Sequence, residues 1–171
     1  MNSSTIEEKI RQLLSSNNIV RPPVPVGLIA NNSGIFIREA PTGTNISGAL
    51  IRSGGVAYIA VNNAHHANRQ RFTIAHELAH YYLEHIGTDL HVDGDFTIKR
   101  DEKSSTATDD NEILANQFAA QLLMPTQFLV RDVTDLMPLD PEKIKRLSRK
   151  YQVSEQAMTI RLTNLGFLSP T

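Results

Sequence analysis

The stretch RFTIAHELAHYYLEH, residues 71–85, decides how the chain is read. It sets two histidines four apart, with a glutamate directly after the first. On an α-helix successive residues turn by about 100°. His80 therefore lies about 40° from His76 and one turn along, so both imidazoles can reach one metal ion. Glu77, about 100° round, flanks that ion instead of binding it, where a base must sit to take a proton from an activated water. Phe72, Ala75, Ala79, Tyr82 and Leu83 share an adjacent stripe. The spacing predicts a helix over residues 68–85, with a core face beside a polar face of Thr73, His76, Glu77 and His80.

Two histidines need a third ligand. The chain has no Cys, which removes disulfides, thiolate nucleophiles and Cys-type zinc sites and leaves His or carboxylate. The stretch NEILANQFAAQLLMP, residues 111–125, predicts a second helix over 111–124, ended by Pro125. Leu114, Ala115, Phe118, Ala119, Leu122 and Leu123 form its apolar stripe. Glu112 falls in the first turn, where the helix dipole suits a carboxylate. Asn116 follows four residues later on the same side. A glutamate ligand on a following helix, with a polar residue one turn on to orient a ligand imidazole, is the arrangement of gluzincin-type sites. Read alone, Glu112 is equally a favourable N-terminal helix charge.

The rest of the chain supplies a scaffold. At 171 residues it fits one domain with a small appended module, and 40% hydrophobic and 20% charged residues are ordinary for a soluble globular protein. The N-terminus is charged through its first turns and does not read as a signal peptide. The longest clean apolar run, 56–61, is too short to span a membrane, so a cytoplasmic location is expected. A helix is predicted over 5–16, and a short one over 26–31 after Pro22, Pro23 and Pro25. Strands are predicted over 34–39, 48–52 and 56–62, the last two joined by Ser53-Gly54-Gly55 into a hairpin, so a small antiparallel meander is expected. The strand over 56–62 reads either as a core strand or as an edge on which an extended peptide could pair. Residues 87–110 are polar and acidic and read as a long surface loop, with a short strand over 95–99. Helices are predicted over 126–136, 141–151 and 154–165.

The net charge of −1 hides an asymmetry: residues 141–171 carry six Lys/Arg against two Glu, on an otherwise acidic body. KIKRLSRKYQVSEQAMTIRL has the outline of a helix-turn-helix, with Lys145, Arg146, Arg149, Lys150 and Arg161 as candidate contacts to a partner or to phosphates. Gln152 stands where such motifs commonly place Gly, and the second helix offers only Arg161 as a basic contact.

RFTIAHELAH followed by NEILANQFAAQLLMP resembles the ImmA/IrrE family of zinc metallo-endopeptidases. So do the tail YQVSEQAMTIRLTNLGFL and the SGALI and AYIAVN strands, and the likeness covers roughly residues 25–168. The resemblance implies an α+β, zincin-like fold: a small antiparallel three-stranded sheet packed on the HExxH helix, followed by a helical C-terminal portion. It implies one zinc ion held by His76, His80 and Glu112, with Glu77 as catalytic base. It also implies a separate protein partner, a helix-turn-helix repressor or antitoxin of a stress-response, mobile-element or toxin–antitoxin system. We expect a metallopeptidase domain over 1–136 and a basic helical pair over 137–171. The alternative is a DNA-binding or toxin-like partner module with a non-catalytic zinc site. A further oxyanion donor would come from Tyr81, His85, His91, His65 or His66, among which the sequence does not choose.

Overall fold

The computed structural model describes residues 3–41, 46–83, 90–94 and 102–169; for residues 3, 4, 90–94 and 102–109 it describes the backbone alone. The elements run α1 (Ser3–Ser16), α2 (Val26–Asn32), β1 (Ile35–Ala40), β2 (Ile46–Ser53), β3 (Val56–Asn62), α3 (Ala67–Tyr82), β4 (Leu90–Gly94), α4 (Glu102–Leu123), α5 (Thr126–Thr134), α6 (Pro141–Tyr151) and α7 (Glu155–Asn164). The α+β class stands. The chain divides into two compact units, one of residues 26–119 and one of residues 1–25 with 120–171. The boundary expected at 136/137 falls inside the second of these. Among the described residues, no helix is long and apolar enough to cross a membrane.

The unit of residues 26–119 holds the sheet, whose strand order β1-β3-β2-β4 corrects the expected meander. The β2–β3 hairpin is antiparallel, as its Gly54-Gly55 turn at positive φ requires. β3, however, also pairs with β1, in parallel, from Ile35 opposite Ala57 to Ala40 opposite Asn62. The sheet is therefore mixed, and it has a fourth strand, β4, antiparallel to β2. The physical reason lies in β3 itself, VAYIAVN, the most apolar strand: Ala57, Ile59 and Val61 are all buried. A strand of that kind is most stable with both backbone edges paired, so β3 takes the interior position between β1 and β2. The reading of β3 as a free edge for an extended peptide is overturned. The outer strands are β1 and β4.

β4 and the first turns of α4 occupy what the sequence presents as a loop over 87–110; the short strand expected over 95–99 lies outside the described residues. Residues 102–110 have no apolar period, so nothing local announces a helix. Once 111–123 is helical, each added residue gains a backbone hydrogen bond without a new nucleation cost, and the helix extends towards its N-terminus.

In the other unit the side chains that fix the helices are legible one by one. Asp140 caps α6 by accepting from the Lys143 amide at 2.9 Å, with Pro141 at the first helical position. Gln152 closes α6 in the left-handed region, φ 55°, so a residue with a Cβ adopts the turn that Gly commonly provides. Ser154 then caps α7 through the Ala157 amide at 3.1 Å. Between α5 and α6, Asp132 accepts from the Tyr151 hydroxyl at 2.8 Å and pairs with Lys150 at 2.8 Å.

Candidate metal centre

Two stripes of α3, about 100° apart, face different neighbours and thereby divide the work of the helix. One stripe runs Arg69, Thr73, Glu77, Tyr81 and lies along β2. Arg69 donates to the Ser47 hydroxyl at 2.9 Å, and the Arg52 guanidinium sits 5.3 Å from the centre of the Tyr81 ring. Between these ends the strand carries Gly48. A Cβ there would run into the Thr73 methyl and come within 2.8 Å of the Ala60 carbonyl and 3.7 Å of Glu77 Oε1. Glycine is what lets the helix approach the sheet this closely.

The other stripe, His76 and His80, faces α4. His76 Nε2 and His80 Nε2 are 3.0 Å apart. Glu112 Oε2 lies 3.1 Å from the first and Glu112 Oε1 3.3 Å from the second. The Asn116 carbonyl oxygen is 3.1 Å from His76 Nδ1 and accepts its N–H, which turns Nε2 towards the other two donors. Ligand atoms of His76, His80 and Glu112 all lie within 4.8 Å of one another. Donors at ~2.0–2.1 Å from a tetrahedral zinc ion sit about 3.3 Å apart, and these separations fit such a set. Among the described residues the donors are nitrogen and oxygen only, which suits a borderline ion.

Burial sets the electrostatics. The side chains of His76 and His80 are 3% and 1% exposed while that of Glu112 is 32% exposed, so the cluster meets solvent on the α4 side. α3 is buried nearly all round from Thr73 to His80. Burial pushes the Glu112 carboxyl upward, but its close contacts with the His76 and His80 imidazoles outweigh it and hold the group well below the usual carboxylate range. Glu112 is thus an anion at neutral pH, as a ligand must be. Glu77 is fully buried on the adjacent stripe, its carboxylate near Gly48.

The remaining candidates fall elsewhere. Tyr81 belongs to the stripe facing β2, beneath Arg52. His66 accepts from the Asn68 amide at 3.2 Å and caps α3, and His65 sits 3.5 Å from Asn62 in the preceding turn. The backbone of His91 pairs opposite Leu50, and His85 lies outside the described residues. Arg146, Arg149 and Lys150 are exposed on α6 and Lys145 is half-buried. Arg161 is not on that surface. It is buried and donates to the Met124 carbonyl at 3.2 Å and the Thr126 hydroxyl at 3.1 Å, so it is withdrawn as a nucleic-acid contact. The sequence reading missed Gly48, for which a glycine inside a strand pattern was the available signal. It also missed the buried Asp132, whose helix position carries no local mark.

The family described as the IrrE N-terminal-like domain, Peptidase M78, matches residues 30–163. No curated protein sequence matches the chain. Among solved structures, a Mycobacterium tuberculosis transcriptional regulator superposes with a TM-score of 0.67 at 15% identity. The overlap covers 94% of this chain and 46% of that one, so the present chain spans about half its length. At that identity the likeness is one of fold.

Proposed function

Because the chain belongs to the Peptidase M78 family, the IrrE N-terminal-like domain, we propose that it is a zinc-dependent endopeptidase acting on a separate protein partner. The observation that carries this reading is the convergence of His76, His80 and Glu112 with buried Glu77 on the neighbouring stripe of one helix. A zinc ion on those three ligands would supply Lewis acidity and make a water molecule acidic enough to deprotonate near neutral pH. Glu77 takes the proton from the attacking water on its carboxylate and delivers it to the departing amine. Asn116 holds His76 in the tautomer whose Nε2 is free to bind the metal.

A structural zinc site would be closed by four protein ligands, whereas among the described residues the cluster has three, with a general-base candidate beside it. The partner is a helix-turn-helix repressor or antitoxin encoded with this chain. The competing reading, a DNA-binding module, is weakened by the burial of Arg161, the basic side chain of α7. The test mixes zinc-loaded protein with its co-encoded repressor and follows intact mass. We expect cleavage by the native chain, none by Glu77→Gln with its zinc content retained, and neither zinc nor cleavage in His76→Ala. Equal cleavage by native protein and Glu77→Gln sinks the mechanism. Zinc binding without cleavage of any repressor leaves only the metal site standing.

A further inference from the structure

The unit of residues 1–25 and 120–171 carries a polar feature that the metal chemistry does not use. An open cleft of about 790 Å³ is lined by Val20, Pro22 and Pro23 together with Arg21, Arg131, Asp132 and Lys150. That volume lies in the range of ligand-binding clefts. Its charges are unbalanced, three cations against one carboxylate. The carboxylate, Asp132, is 7% exposed and already engaged: it accepts from the Tyr151 hydroxyl and pairs with Lys150 at 2.8 Å and with Arg131 at 3.4 Å.

Asp132 thereby acts as an internal anchor. It holds Lys150 and Arg131 at the cleft while their side chains stay 48% and 56% exposed. Arg131 is held further by the Val20 carbonyl at 3.3 Å and by the face of the Phe128 ring at 5.5 Å. Cations fixed in this way lose little further freedom when a ligand arrives. Arg21, by contrast, is exposed and makes no ion pair among the described residues. Next to it in the chain Val20 is 70% exposed, an apolar surface that also lines the cleft.

We propose that this cleft is a docking site for an acidic peptide segment, with a ligand carboxylate on Arg21 and Arg131 and an apolar neighbour against Val20 and Pro23. Charge complementarity selects a carboxylate, and the valine–proline wall selects a chain with apolar side chains between its charges. A nucleic-acid backbone fits less well. It has no use for that wall, whereas a peptide with apolar side chains does. The site goes beyond the hydrolytic reading and does not depend on it.

The experiment measures fluorescence anisotropy of the full chain with three labelled probes at fixed salt. These are a peptide alternating Glu and Val, the same peptide with Gln for Glu, and a short DNA duplex. We expect saturable binding of the acidic peptide, with the Gln peptide weaker by about tenfold, the loss of one charge-assisted contact. Arg21→Ala should weaken acidic-peptide binding by about tenfold. Arg149→Ala, an equal loss of charge outside the cleft, should change it by less than about twofold. Should Arg21→Ala fail to fold, Val20→Glu in the cleft lining carries the same test through repulsion. Equal binding of the two peptides, or equal effects of Arg21→Ala and Arg149→Ala, overturns the site. Tighter binding of the duplex, lost in Arg21→Ala, overturns the assignment to a peptide.

Discussion

Asn116 and Gly48 bind nothing themselves, yet each fixes where a reactive group of the candidate site stands. Asn116 accepts from His76 Nδ1, and removing such an orienting acceptor typically costs 10–100-fold in metal affinity. Asn116→Ala should therefore weaken zinc binding by roughly 10–100-fold in competition with a chromogenic chelator. An unchanged affinity would show that packing alone orients the imidazole. Gly48→Ala adds a methyl where Thr73 and the Ala60 carbonyl already stand. Overpacking of this kind costs about 1–3 kcal/mol, read as a lowered urea midpoint at constant slope. A midpoint equal to that of the native chain would mean that α3 can lift off β2 freely. Asn116 was legible because helix periodicity sets it one turn from Glu112. The contact of Gly48 was not, because it joins residues of different elements that no local spacing relates.

At the scale of elements, α5 and α6 are tied through Asp132, and the tie is sensitive to pH. Burial raises the Asp132 carboxyl, but hydrogen bonds from Lys150 and Tyr151 outweigh it and hold the group below its ordinary value. A carboxyl depressed on folding contributes stability above its unfolded value of 3.8, and that contribution is lost as pH falls through the lower folded value. Lys150→Met brings the folded value back towards the unfolded one. We expect the variant to be less stable than the native chain by about 1 kcal/mol at pH 7, with the difference shrinking below about pH 4. Urea midpoints at both pH values decide it; a difference that persists undiminished in acid would assign the loss to packing of the lysine stem. The same scale explains the mixed fate of the tail. α6 and α7 were readable to within a residue, whereas the inward turn of Arg161 depends on the Met124 carbonyl and the Thr126 hydroxyl, thirty-odd positions away.

For the whole molecule, the two compact units should respond unequally to metal. All three ligand candidates and Asn116 lie within residues 26–119. An ion that binds only the folded state adds RT ln(1 + [L]/Kd), about 4 kcal/mol at a thousandfold excess over Kd. Chelation should therefore lower amide protection in residues 26–119, above all in α3 and α4, and leave α6 and α7 nearly unchanged in hydrogen exchange. Uniform loss of protection along the chain would mean that the units unfold as one. No protection gained with zinc would remove the metal site itself.

By itself the sequence determined whatever repeats over a few residues. Helical spacing put His76, His80 and Glu77 on one helix and Glu112 with Asn116 on another, and an apolar run opening at the Gly54-Gly55 turn set β3 at its observed limits. The absence of cysteine narrowed the metal chemistry to His and carboxylate. Only the tertiary structure decided which edges of β3 are paired, and so that the sheet is mixed with β3 inside it. It also decided that Glu77 is buried against β2, that Arg161 turns inward, and that Asp132 gathers cations at a cleft. The reason is physical. Periodicity is a property of neighbouring dihedral angles and is written in adjacent residues, whereas strand pairing and burial depend on which distant surfaces exclude water together.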